Sequence, residues 1–190
     1  MSLAEQLFDV DKCYEMHNGK IVALASGSTN HGTIGTNVTK IFADFLMGKP
    51  CKVWNGSVDV HLTEKDCFIP DIVVSCNQDI VKQDGIYGAP DLIVEILSPS
   101  TMRYDRIYKK AIYEKCGVKE YWIVSTDERS IEVYLLQDGK YESDNVYLIY
   151  PDYSLRKMSD EERARIVTSF SPSIFPDLII SVDDIFSGLL

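Results

Sequence analysis

The chain has 190 residues, 45% apolar and 25% charged, with 19 Lys+Arg against 29 Asp+Glu and a formal net charge of −10. A folded domain of this size hides roughly 70% of the surface of its unfolded chain, so a disordered tail protein is excluded and no metal or disulfide staple is needed for a core. The apolar runs, such as Leu92 to Leu97 with Glu95 inside it, fall short of the about 18 to 20 residues of a membrane span. The acidic balance argues against a protein that simply coats nucleic acid, which needs a basic footprint, though it leaves room for a local basic groove.

Taken in chain order, Met1-Ser2-Leu3 leads into a mixed, acidic stretch with neither a basic nor an apolar leader region, so a cytoplasmic protein is expected. The composition divides nowhere, and a single domain from residue 10 to 190 is expected, with the first ten residues loose. Cys13 to Ser26 reads as a hairpin about Asn18-Gly19, a dipeptide that supplies positive φ at both turn positions. From Asn30 onward, Ile34, Val38, Ile41, Phe42, Phe45 and Leu46 mark one helical stripe ended by Gly48 and Pro50, and this helix should pack on a sheet.

Strand patterns follow at Lys52 to Leu62, interrupted at Asn55-Gly56, then at Phe68 to Cys76 and Asp91 to Leu97, the last two expected as sheet neighbours. Ser98-Pro99-Ser100-Thr101 breaks the strand and offers capping hydroxyls to a helix that Cys116-Gly117 closes. Glu120 to Ser125, Ser130 to Gln137 and Lys140 to Leu148 read as three more strands. The tail, with its apolar run Leu178 to Val182 and the turn Asp183 to Phe186, is expected to close one sheet edge. The sum is an α/β fold, a mixed β-sheet flanked by at least two helices.

Several residue types have no ordinary place in such a fold. Glu95 interrupts a strand of Leu, Ile and Val of the kind normally buried on both faces. A buried carboxylate needs a cation, a metal or dedicated hydrogen bonds; on an edge strand, Glu95 would simply face water. Asp71 again sets an acid at the head of an apolar strand, where a loop terminus is the alternative reading. Two such carboxylates brought together suit Mg²⁺, a hard ion that takes oxygen ligands and keeps waters. Asp91 is ambiguous for the same reason as Asp71. After Ser100, Asp105, Lys109 and Tyr113 recur every four residues, each step drifting only about 40° around an α-helix. An ordinary i,i+4 ion pair accounts for Asp105 and Lys109, whereas a lysine near a phosphate would stabilise the developing anion.

Other chemistries find no support. The glycines at 27, 32 and 35 make neither GxxxxGK[ST] nor GxGxxG, and no GxSxG is present. His17, His31 and His61 lack metal spacing, and only His31, at the first helix start, is kept as a candidate. The five cysteines are odd in number without a CxxC, so zinc and disulfide frameworks are not expected and all five are read as reduced.

Pro70-Asp71, then Gly88-Ala89-Pro90-Asp91-Leu92-Ile93-Val94-Glu95-Ile96-Leu97-Ser98-Pro99-Ser100-Thr101, then Asp105-x3-Lys109-x3-Tyr113, then Gly117 to Val124 strongly resemble the restriction endonuclease domain family abundant in cyanobacteria. That family is similar to the PD-(D/E)xK nuclease superfamily. The resemblance implies a restriction-endonuclease-like core and metal-dependent hydrolysis of DNA phosphodiester bonds, with Asp71 and Glu95 as Mg²⁺ ligands and Mn²⁺ able to substitute. Leu97 stands where the superfamily has Lys, and Lys109, on the following helix, matches the family's own pattern as a migrated catalytic lysine. Asp105 and Tyr113 are then expected to orient it, with Glu15 as a further carboxylate. A homodimer is implied because cutting two strands usually takes two sites. The rival readings are a non-catalytic nucleic-acid or protein binding module on the same fold, which the acidic charge and the missing Glu-x-Lys favour, and a metal hydrolase of small phosphate esters.

Overall fold

The computed structural model describes residues 13–190; the expected loose segment and the start of the expected domain, residues 10–12, lie outside the described residues. Strands β1 (Tyr14–His17) and β2 (Lys20–Ala23) form the expected hairpin, with Asn18 and Gly19 both at positive φ. Helix α1 (Thr29–Leu46) follows, capped by the Ser28 hydroxyl, which accepts from the His31 N–H. Next come β3 (Lys52–Asn55), β4 (Val60–Thr63), β5 (Asp66–Phe68), β6 (Ile72–Ser75), β7 (Val81–Lys82), β8 (Gly85–Tyr87) and β9 (Leu92–Ile96). A π-helical segment, Tyr104–Lys109, runs directly into α2 (Lys110–Cys116), and Gly117, at φ 92°, ends it in the left-handed conformation. Strands β10 (Glu120–Ser125), β11 (Ser130–Gln137) and β12 (Lys140–Leu148) complete the main sheet.

The strands sort into two six-stranded sheets. The larger runs β12-β11-β10-β9-β6-β3, antiparallel except for β9 beside β10, and the smaller runs β2-β1-β5-β4-β8-β7. The expected neighbours β6 and β9 are paired, antiparallel. A single sheet was expected from the sequence, and the difference arises at Asn55-Gly56: β3 pairs with β6, whereas β4 leaves for the smaller sheet. Alternation distributes β9 between two cores. Leu92, Val94 and Ile96 meet Ile34, Val38, Phe42 and Leu46 of α1, while Ile93 and Leu97 meet Phe68, Tyr113 and Tyr121 on the opposite face. Glu95 shares that second face, between the large sheet, the π segment and the β1–β2 hairpin.

The C-terminal segment covers a face and does not close an edge. After two short helices, α3 (Asp152–Leu155) and α4 (Asp160–Arg163), strands β13 (Ser169–Phe170) and β14 (Ile180–Ser181) form their own ribbon ahead of α5 (Val182–Ile185). Phe170, Leu178, Ile180, Val182 and Ile185 join the core under α1, and the Asn37 side chain donates to the carbonyls of Ile185 and Ser187. Buried Glu120 pins the segment by accepting from Trp122 Nε1 and from the Ser173 N–H and hydroxyl. The cysteines need a second correction. Cys51 and Cys76 are joined by a disulfide, with Cα atoms 3.9 Å apart, because the Lys52–Ser75 register brings them opposite one another at the end of β3 and β6. Cys13, Cys67 and Cys116 are free.

Candidate active site

The β6–β9 register pairs Ile72 with Val94, so one step further along Asp71 stands across from Glu95. Asp71 Oδ2 accepts from the Ile96 N–H at 2.7 Å and lies 3.3 Å from His31 Nε2 on the first turn of α1. The hydrogen bond from His31 to Asp71 raises the imidazole pKa above its ordinary value, against the opposing effect of burial. Partly buried, Asp71 and His31 line one side of a cleft of about 420 Å³ whose other walls include Glu15, Glu95, Ser98, Thr101, Asp105 and Lys109.

At the floor of the cleft Lys109 is buried among carboxylates. Its Nζ lies 2.8 Å from Glu15 Oε1, 3.0 Å from Glu95 Oε1 and 3.6 Å from Asp105 Oδ1, and all four side chains are no more than 4% exposed. Burial opposes the ammonium charge, but Glu95, Glu15 and Asp105 outweigh it and raise the Lys109 pKa above that of a free lysine. The carboxyls divide. Burial, together with the charges of Asp105, Asp71 and Glu15, drives Glu95 well above the carboxylate range in spite of Lys109. For Glu15 burial also acts upward, yet His17, Lys109 and the Ile69 N–H prevail and hold it low. Asp105 is raised, chiefly by burial. Tyr113 donates its hydroxyl to Glu95 Oε1 at 2.6 Å, one helical turn beyond Lys109.

The structure thus brings together Glu15, His31, Asp71, Glu95, Asp105, Lys109 and Tyr113, from five segments distant in sequence. Asp91 it does not bring to the cleft: at the other end of β9 it accepts from the Cys76 N–H and from Lys119 Nζ, each at 2.7 Å. The helix carrying Lys109 differs from the α-helix expected, since the π segment adds a wider turn, a form common where a helix serves a site. Asp105 and Lys109 still share a face, and Lys110 turns away to lie 3.3 Å over the Tyr134 ring. His17, which holds Glu15 Oε2 at 2.6 Å and stacks on Tyr108, was not singled out from the sequence. Its signal was present, because residues two apart on a strand share a face.

An all-oxygen set of Asp71 and Glu95, open to solvent on the Asp71 side, suits Mg²⁺ or Mn²⁺ better than a softer ion. Asp105 Oδ1, 3.6 Å from Lys109 Nζ, is buried without a hydrogen-bond partner, so one oxygen acceptor beside the cleft is left unsatisfied. The residues present therefore fit a hard divalent cation.

Residues 3–148 match the family described as "Uma2: Putative restriction endonuclease", and the chain belongs to that family. It is 31% identical over 127 residues to the uncharacterised protein slr1290 of a Synechocystis species, spanning 66% of this chain and 67% of that one. Its fold is that of a crystal structure from Anabaena variabilis described as "a putative nuclease belonging to DUF820", with a TM-score of 0.71, 21% identity, and coverage of 97% and 95% of the two chains. The restriction-endonuclease-like α/β fold expected from the sequence is thereby shown.

Proposed function

We propose that the protein is a metal-dependent endonuclease that hydrolyses DNA phosphodiester bonds at the Asp71–Glu95–Lys109 cleft. The observation that carries this reading is that Asp71, just before β6, Glu95 of β9 and Lys109 of the π segment line one cleft in a chain of a family described as a putative restriction endonuclease. Asp71 and Glu95 would hold Mg²⁺, or Mn²⁺ in its place. The ion, when bound, supplies a Lewis acid that polarises the phosphodiester and acidifies a water. Lys109, fixed by Glu15 and Asp105, offers a permanent positive charge toward the phosphorane, and Tyr113 fixes the Glu95 carboxyl. The N-terminus of α1, with His31 beside it, contributes positive potential at the mouth of the cleft where a strand's phosphates would lie. Two copies would be required to cut both strands of a duplex, so we propose a homodimer as the acting form.

The test is incubation of supercoiled plasmid and of single-stranded DNA with the protein in Mg²⁺, Mn²⁺ or EDTA, beside Asp71→Ala and Glu95→Ala. Metal-dependent cleavage lost in both variants is the expected result. A protein that binds these DNAs without cutting them in either metal would overturn the enzyme reading in favour of a binding module. Turnover of a chromogenic phosphodiester without cleavage of DNA would instead assign it to small phosphate esters.

A further inference from the structure

The smaller sheet has a second cluster of ligating groups on the face turned away from the cleft. Register aligns Met16 with Cys67, Cys67 with His61 and His61 with Tyr87 across β1, β5, β4 and β8. Residues opposite one another in a sheet point to the same face. The buried neighbours Glu15, Phe68, Val60 and Ile86 point inward, so this row points outward. Asp59, two residues before His61, joins the same face. One ligand atom from each of Asp59, His61 and Cys67 lies within 4.8 Å of the other two, and His61 Nε2 is 3.9 Å from Cys67 Sγ.

We propose that Asp59, His61 and Cys67 form a binding site for a zinc-class divalent cation, separate from the nuclease cleft. The donor set is one carboxylate, one imidazole and one thiol, the mixture that a borderline-soft ion accepts and Mg²⁺ does not. In a tetrahedral site with ordinary Zn–N and Zn–S bonds, the nitrogen and sulfur stand about 3.5 Å apart, so the observed spacing closes with a shift of a few tenths of an ångström. Three protein ligands leave a fourth position open to solvent on this exposed face.

The framework also holds the ligands in place without a metal. Tyr87 stacks on the His61 ring at 4.3 Å and 9°, fixing its plane. The Ile86 N–H donates to the Asp59 carbonyl and the Gly88 N–H to the His61 carbonyl. Gly85 keeps the approach clear: a Cβ there would come to 2.8 Å from the Asp59 carbonyl oxygen and 3.4 Å from His61 Nε2. Burial, with Asp59 and Glu15 nearby, pushes the Cys67 thiol up to about 11. Cation binding would displace that proton and relieve the crowding of negative charge. Sequence spacing hid the site because its ligands come from β4, the residue just before it and β5, and no CxxC or HxxxH frames them.

Co²⁺ titration of the full-length chain with the Cys51–Cys76 disulfide intact tests this directly, because a cobalt–thiolate bond gives a near-ultraviolet charge-transfer absorption that an all-oxygen site cannot. The expected result is a band saturating at one equivalent, removed by excess Zn²⁺, abolished in Cys67→Ser, weakened at least tenfold in affinity in His61→Gln, and retained in Asp71→Ala/Glu95→Ala. Zn²⁺ should raise the unfolding temperature of the wild type and not that of Cys67→Ser. The absence of a thiolate band, or its persistence in Cys67→Ser, would overturn the proposal. So would its loss in the cleft double variant with Cys67 intact.

Discussion

Lys109 and Asp66 show how single side chains hold this molecule together. Lys109 is the one cation in contact with Glu15, Glu95 and Asp105 among the described residues. Its replacement by Met leaves buried carboxylates uncompensated and is expected to cost about 3–5 kcal/mol, read from denaturant unfolding. Arg, too long and planar for the space, should restore neither stability nor cleavage. Asp66 is a buried acceptor for the Asn18 N–H and the hydroxyls of Thr63 and Tyr108, and it locks the β1–β2 turn to the β4–β5 turn and the π segment. Burial alone would raise its pKa, but those three donors lower it. A carboxyl lowered in the folded state stabilises above its unfolded pKa, near 3.8, and that contribution is lost as pH falls through the lower folded value. Asp66→Asn should therefore cost about 1–3 kcal/mol at neutral pH, with a smaller loss of stability than the wild type on titration below about pH 4. Parallel acid slopes for the two proteins would show that folding does not lower the Asp66 pKa.

At the scale of elements, the β9–π–α2–β10 unit joins two parallel strands through the helix that carries Lys109, as a crossover connection must. The wider π turn sets where Lys109 falls relative to Asp105. Deleting exposed Ile107 should relax Tyr104–Lys109 to α-helix. Cleavage should be lost, while α2, held by Tyr113 and the Gly117 cap, stays in place by circular dichroism and unfolding. Unchanged cleavage would mean that the π turn has no part in positioning the lysine. Most of these elements were legible because local signals agreed: Asn18-Gly19, the stripe from Ile34 to Leu46, the Gly117 stop and the alternation of β10 to β12. The sorting of β3 and β4 into different sheets was not, since it depends on pairing partners distant in sequence. The π turn also escaped, because i,i+4 spacing from Asp105 to Lys109 reads alike in either helix. Within the site, Glu95 announced itself by being polar in an apolar strand, whereas Asp91 shared the Pro-Asp signature of Asp71 and faced the other end of the sheet. The Cys51–Cys76 pair was invisible for the reason β3 was: only strand register puts the two cysteines opposite one another.

For the molecule as a whole, the −10 charge would set the terms on which the proposed nuclease meets a polyanion. Long-range repulsion would slow encounter, while at the mouth of the cleft the α1 N-terminus and His31 offer local attraction. DNA cleavage should therefore rise as salt is added from about 10 to 100 mM, over which the screening length shrinks from roughly 30 to 10 Å, before local contacts weaken. A monotonic fall in initial rate across that range would mean instead that a basic surface dominates binding. The C-terminal ribbon matters at this scale as well, since Phe170, Phe175 and Ile180 roof the core that Trp122 and Phe42 occupy. A chain ending at residue 166 should bind hydrophobic dyes and melt early. Finally, the caged lysine has a use as a chemical reporter. An ammonium buried and held charged by three acids reacts poorly with acylating reagents, so the exposed Lys40, Lys119 and Lys140 should label readily in the native protein, while Lys109 labels only when β1, β9 and the π segment separate. The rate at which mass spectrometry finds that one position modified would then measure how often the cleft comes apart.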